Sequence, residues 1–248
     1  PHEPLREPEL FINRELSLLA FNWRVLAQAR NPATPLLERL RFLCISSTNL
    51  DELFEIRVAG LQEQVASGST QAGPDNIAPQ ELLRQIAVET HRLVDEQYRV
   101  LNDDLLPALE REGIHFRRRG EWTPAQVEWV RRYFETELLP MLTPMGLDPA
   151  HPFPRIQNKS LNFLVSVQGQ DAFGRRGGIA IVQAPRALPR IIQVPKECAG
   201  GPHEFVFLTS IIHAYVADLF AGMEVTGCYQ FRVTRNSELF VDDEEAHD

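Results

Sequence analysis

Phe11-Ile12-Asn13-Arg14-Glu15-Leu16-Ser17-Leu18-Leu19-Ala20-Phe21-Asn22, answered by Asn49-Leu50-Asp51-Glu52-Leu53-Phe54-Glu55-Ile56-Arg57-Val58-Ala59-Gly60, sets the character of the first half of the chain. From the first stretch onward, Leu16, Leu19, Ala20, Trp23, Leu26 and Ala27 fall at helical spacing on one face. Leu18, Phe21 and Val25 widen that stripe, which predicts a helix buried on more than one side. Thr34-Pro35 is a helix-start signal, a hydroxyl able to cap free amides beside a proline whose missing N–H costs nothing there. Leu36, Leu37, Leu40 and Leu43 make the inward face of the helix that follows. Ser46-Ser47-Thr48-Asn49 offers four side chains that compete for backbone hydrogen bonds, so the spacing predicts a break there. Asp51 and Glu52 would then sit in the first turn of a third helix carrying Leu50, Phe54, Val58, Leu61 and Val65 inward until Ser67-Gly68.

Residues 67–79 lack periodicity and read as a mobile loop. A long helix follows on Leu82, Ile86, Leu93, Leu101, Leu105 and Leu109, bent near Pro107 and stopped at Gly113. Four helices thus form a bundle over residues 11–112, preceded by an extended or partly disordered arm at 1–10 that holds Pro1, Pro4 and Pro8.

Past Gly113 the pattern changes. Thr123-Pro124-Ala125-Gln126 is a capping box, with Val127, Val130, Phe134 and Leu138 as the buried face of its helix. Leu161, Phe163, Val165 and Val167 alternate as in a strand, and Gly178 to Val182 is its expected hairpin partner. Further strands are expected at 190–194, 205–208 and 225–234, with a helix over 210–220. The fold class is α+β: an N-terminal helical bundle, then a mixed or antiparallel-sheet α+β domain over 113–248. The run Asp242-Asp243-Glu244-Glu245 reads as the acidic first turn of a helix that the chain cuts short.

The bulk properties narrow the function. Twenty-five Lys and Arg against 34 Asp and Glu give 25 − 34 = −9, which disfavours general nucleic-acid binding unless cations gather locally. Cys44, Cys198 and Cys228 are odd in number and lack zinc-site spacing, the pattern of free, mostly buried thiols in a reducing cytoplasm. No apolar run approaches the ~20 residues that span a bilayer. The expected location is cytoplasmic, with peripheral attachment at the inner membrane left open.

The two opening stretches together resemble the start of the bacterial polyphosphate kinases of the first family. Pro140-Met141-Leu142-Thr143-Pro144, Asp148-Pro149-Ala150-His151-Pro152-Phe153-Pro154 and Asn158-Lys159-Ser160-Leu161-Asn162 resemble that family's second domain, the head domain. So do Gly222-Met223-Glu224-Val225-Thr226-Gly227-Cys228-Tyr229 and Phe231-Arg232-Val233-Thr234-Arg235-Asn236, so that nearly the whole chain is covered in the family's order. The resemblance implies a parent enzyme that reversibly transfers the terminal phosphate of ATP to polyphosphate. That enzyme needs magnesium, not bound by this part, and works through a phosphohistidine in later domains resembling phospholipase D. No catalytic residue is therefore expected in this chain, which taken alone would be inactive. The resemblance also implies a homo-oligomer, a dimer or higher, with the head domain packing on the helical domain of another subunit. An interaction module serving assembly alone is the alternative.

Asn49 is the expected nucleotide contact. A carboxamide sets a donor beside an acceptor and so matches an adenine edge, and Asn49 stands where the family's Asn-Leu-Asp-Glu motif contacts the ATP base. An N-cap satisfying its own helix amides is equally natural for Asn before Leu-Asp-Glu, and the two roles can coexist. Leu18 replaces the family's usual tryptophan, and Ser46 and Leu53 take places often aromatic, which softens the packing around the base. His151 between prolines reads as structural, since no basic cluster adjoins it; an independent hydrolase built on it is the outlying reading. His91 and His213 read as helix positions. Asp51, Glu52 and Glu55 need no metal, because the helix dipole and Arg57 account for them. The Gly169–Gly178 turn lacks the order of a phosphate loop, and Arg117-Arg118-Arg119 and Arg175-Arg176 read as solvated loop charge that polyphosphate could touch.

Overall fold

The computed structural model describes residues 7–148, 152–170 and 176–236. They fall into two compact units, one of residues up to Leu109 together with the segment from Thr234, the other Glu110–Val233. Residues 234–236, which the sequence groups with the second domain, thus belong with the helices. Residues 1–6 of the expected arm and the acidic run 242–245 lie outside the described residues. Pro8–Leu10 forms a short 3₁₀ turn.

Among the described residues the first unit is built from long helical runs. Helix α1 (Arg14–Arg30) starts at Asn13, whose Oδ1 accepts from the Leu16 N–H at 3.0 Å. Helix α2 (Leu36–Glu52) does not stop at Ser46-Ser47-Thr48-Asn49 as predicted. It passes through a π-helical stretch, Leu53–Val58, into α3 (Ala59–Ala66), so the second and third expected helices are one rod.

The polar cluster fails to break it because the side chains of Ser46, Thr48 and Asn49 are satisfied within the helix or by a neighbour. The Thr48 hydroxyl bonds back to the Cys44 carbonyl, while buried Ser46 receives Nε2 of Gln97 on its hydroxyl and Nδ2 of Asn22 on its carbonyl. Helix α4 (Pro79–Arg99) continues through a second π stretch, Val100–Leu105, into α5 (Leu106–Arg111). Pro107 lies just past that stretch; it lacks the N–H that Asp103 would receive and its ring crowds that carbonyl, which accounts for the widened turn.

Leu26, Ile86, Leu93, Val100 and Leu105 form the floor of the first core, each at most 2% exposed. A buried arginine stitches it, Arg39 donating from Nε to the Ala29 carbonyl at 2.8 Å and pairing with Asp104. The segment before α4, expected to be mobile, is tied at Asp75, which accepts from Asn13 Nδ2 at 2.6 Å and from the Ile77 N–H at 3.2 Å.

In the second unit, α6 (Pro124–Tyr133) begins on the predicted capping box, Gln126 N–H to Thr123 Oγ1 and Thr123 N–H to Gln126 Oε1. Two sheets follow. Strands β2 (Pro144–Leu147), β3 (Asn162–Gln170), β4 (Arg176–Gln183) and β7 (Met223–Phe231) form an antiparallel sheet in the order β2-β4-β3-β7. Strands β1 (Ile114–Phe116), β6 (His203–Phe207) and β5 (Ile191–Gln193) form a mixed one, β1 parallel to β6. The α+β class and the β3–β4 hairpin are as expected; β1 and β2 are additional.

Near the hairpin tip, Gly177 has a definite reason: a Cβ there would come within 2.7 Å of Gln168 Cα. Helix α7 (Leu208–Tyr215) ends in a 3₁₀ turn, Val216–Leu219, and packs with α6 over the sheets on Val130, Phe134, Phe163, Val206 and Ile211, all fully buried.

Candidate functional site

Asn49 lies on a cleft of about 360 Å³ between α1 and the α2 rod, within the size range of small-ligand pockets. Its position in mid-helix removes the N-cap explanation: the Asn49 carbonyl accepts from the Leu53 N–H like any interior residue, and its side chain does not cap. That side chain instead donates from Nδ2 to Asn22 Oδ1 at 3.3 Å.

Asn22 is only 2% exposed and in turn donates to the Ser46 carbonyl at 2.9 Å. The cleft walls are Leu18, Phe21 and Ile56, all exposed, with Leu19 and Leu53 beneath. Arg14, Arg57 and Glu52 complete the lining. The π stretch begins one turn past Asn49 and carries Leu53, Ile56 and Arg57, so the local widening of the helix shapes this wall; such bulges are frequent at functional sites.

The site thus has apolar walls with an exposed aromatic ring, a carboxamide held from behind, and two guanidinium groups in a chain of net charge −9. It suits a flat heterocycle carrying hydrogen-bonding edges and a negative tail. Asn22, Phe21, Arg14 and Arg57 escape a reading of the sequence for chemistry. The trace of Asn22 is there, since a carboxamide occupies the inward helical position between Leu19 and Leu26.

The other candidates disperse. Arg117 is no solvated loop charge: its guanidinium pairs with Glu204, a carboxylate 1% exposed that also accepts from Gln126 Nε2 at 2.7 Å and the Gly200 N–H at 3.1 Å. Burial pushes the Glu204 carboxyl up, but the hydrogen bonds from Arg117 and Gly200, the Arg117 charge and Gln126 outweigh it, and its pKa lies below the ordinary value. Arg119 donates to His213 Nδ1 at 2.8 Å, and exposed His91 bonds the Ala87 carbonyl.

His151, Arg175 and the tip of the β3–β4 turn lie outside the described residues. Among the described residues no group of three or more His, Cys, Asp or Glu is placed to hold a metal ion. The thiols are free; Cys44 is exposed, contrary to the buried state expected, and burial raises the Cys228 pKa. No helix among the described residues is long and apolar enough to cross a membrane.

Comparisons with known proteins bear on the whole chain. Residues 11–117 match the family model described as the polyphosphate kinase N-terminal domain, and residues 125–248 the polyphosphate kinase middle domain. A protein named polyphosphate kinase from Pseudomonas syringae pv. tomato is 55% identical over 98% of this chain and 33% of its own length. One from Paraburkholderia phytofirmans is 56% identical over 94% of the chain and 34% of its own length.

The crystal structure of polyphosphate kinase from Porphyromonas gingivalis superposes with a TM-score of 0.80 at 29% identity, over 94% of this chain and 34% of that one. The chain therefore spans about a third of the length of the relatives it matches. With its two domain models matched in order over most of its residues, the chain belongs to the polyphosphate kinase family.

Proposed function

We propose that the α1–α2 cleft is the adenine-side wall of a nucleotide site, in a protein that reversibly transfers the terminal phosphate of ATP to polyphosphate. The phosphohistidine and the magnesium that accompany this chemistry would be held outside this chain, whose own task is to bind and orient. The observation that carries the reading is Asn49, lifted out of any capping duty and backed by Asn22, beside the apolar surfaces of Leu18, Phe21 and Ile56. A purine between these walls stacks on Phe21 and turns a hydrogen-bonding edge to the carboxamide. Arg14 and Arg57 favour the polyphosphate tail electrostatically.

Family membership and the names of the relatives support the reaction class. The second unit would supply subunit contacts in a cytoplasmic homo-oligomer. In its support, the face of the antiparallel sheet opposite Phe163 and Val165 exposes Met145, Ile179 and Tyr229, at 39%, 42% and 64%, around the buried Ile181.

The experiment is a thermal shift. ATP raises the melting temperature of the chain through ligand linkage, and Asn49→Ala removes most of that rise while leaving the nucleotide-free melting temperature close to the wild type. An ATP-dependent rise that survives intact in the variant would count against the proposed site. No rise in the wild type leaves the assembly role alone.

A further inference from the structure

The bonds behind Asn49 have a direction, and that direction restricts the base. A backbone carbonyl can only accept, so the buried contact of 2.9 Å between Asn22 and the Ser46 oxygen fixes Asn22 with its amide nitrogen toward Ser46. Its oxygen is thereby turned to Asn49 and receives Nδ2 of that residue at 3.3 Å. Ser46 is held from the other side, since Gln97, 9% exposed, donates to its hydroxyl at 2.8 Å.

The relay runs from α4 through α2 to α1 and back to α2, and nearly all of it is out of water. Its last member, Asn49, lines the cleft with one amide hydrogen committed to Asn22 and the carboxamide oxygen turned the other way. Reversing Asn49 would set its oxygen against the oxygen of Asn22, two acceptors with no proton between them.

We propose that Asn22 is the positioning and specificity residue of the nucleotide site, locking Asn49 so that its oxygen accepts from a 6-amino purine and rejects a 6-oxo purine. This rests on the proposed seat of the base against Asn49. An adenine amino group donates to Oδ1 while the remaining Nδ2 hydrogen reaches the neighbouring ring nitrogen. A 6-oxo base brings a carbonyl oxygen to the same place, and only a reversed Asn49 could receive it. Asn22 forbids that reversal from a position where it need not touch the ligand.

The test is equilibrium dialysis of this chain with ATP and with ITP, which differ in the group at position 6. The wild type is expected to bind ATP at least about tenfold more tightly, the scale on which a site built for a polar group rejects its mismatch. Asn22→Leu keeps the branched shape of the side chain and frees Asn49 to turn, so the ratio should fall to within about threefold. A residue that only supports the fold would weaken both nucleotides together and leave their ratio alone.

Preference for ATP retained in Asn22→Leu overturns the inference and leaves the nucleotide site standing. Binding of neither nucleotide by the wild type overturns both. Should Asn22→Leu fail to fold, Asn22→Ala removes the same acceptor without added volume and should lower the ratio in the same direction. A ratio near one in the unaltered chain also refutes the inference.

Discussion

Replacing Glu204 by glutamine tests how the second unit is held together. The carboxylate has two acceptor oxygens and four donors: Nε and Nη2 of Arg117 on Oε1, Nε2 of Gln126 and the Gly200 N–H on Oε2. An amide keeps one acceptor. If its oxygen stays with Arg117, its NH₂ group confronts Gln126, itself 1% exposed, and Gly200, and leaves both donors without an acceptor. For the buried Gln126 donor that costs about 1–3 kcal/mol, whereas Gly200 is exposed and its N–H can turn to water. Arg117 keeps the amide oxygen and loses only the charge of its partner, which adds little for a side chain 32% exposed. The sum is about 2 kcal/mol, or a drop of roughly 6 °C in melting temperature for a unit of this size.

Trp122 and Trp129 lie in this unit, so denaturant unfolding followed by tryptophan fluorescence in a Trp23→Phe background reads it selectively. Because the folded-state pKa of Glu204 is depressed, its contribution is complete above the unfolded carboxyl pKa, about 4.3, and is lost as pH falls through the folded value. The wild type and Glu204→Gln should therefore converge in acid. A cost below about 1 kcal/mol at neutral pH, or a gap that does not narrow in acid, would refute the reasoning.

Three further outcomes follow from the helical unit. In a full-length enzyme carrying this segment, Asn49→Ala should raise the KM for ATP at least about tenfold with little change in kcat. Its stability should stay within about 1 kcal/mol, since alanine's better helix propensity offsets one long hydrogen bond. Leu18→Trp places a second ring on the cleft wall and should tighten ATP binding about fivefold in calorimetry, the low end of base–aromatic stacking. Asn13→Ala removes the α1 cap and the tie to Asp75, costing about 1–2 kcal/mol and speeding protease cleavage within residues 67–78.

Much of this was legible in the chain and some was not, for physical reasons. Local signals came through: Thr123 to Gln126 is a complete capping box in four consecutive residues, and the β3–β4 hairpin shows in its alternation. The break predicted at Ser46 to Asn49 failed because the groups that satisfy Ser46 sit 24 and 51 residues away, at Asn22 and Gln97. Short-range competition for the backbone favours a break, and tertiary contacts outweigh it.

Strand β1 escaped for a similar reason, being three residues long and paired in parallel with β6 some 89 positions on, Ile114 with His203. Of the cleft, Asn49 stood out through its motif. The one trace of Asn22 is a carboxamide at a core position, and Arg117 reads as loop charge because its buried partner Glu204 lies 87 positions away in sequence.

The most direct test of the adenine-side wall follows the side-chain amide of Asn49 by nuclear magnetic resonance in the ¹⁵N-labelled chain. Saturating ATP should move that signal, and the same concentration of tripolyphosphate should not. A signal indifferent to ATP, or moved equally by tripolyphosphate, would contradict the account.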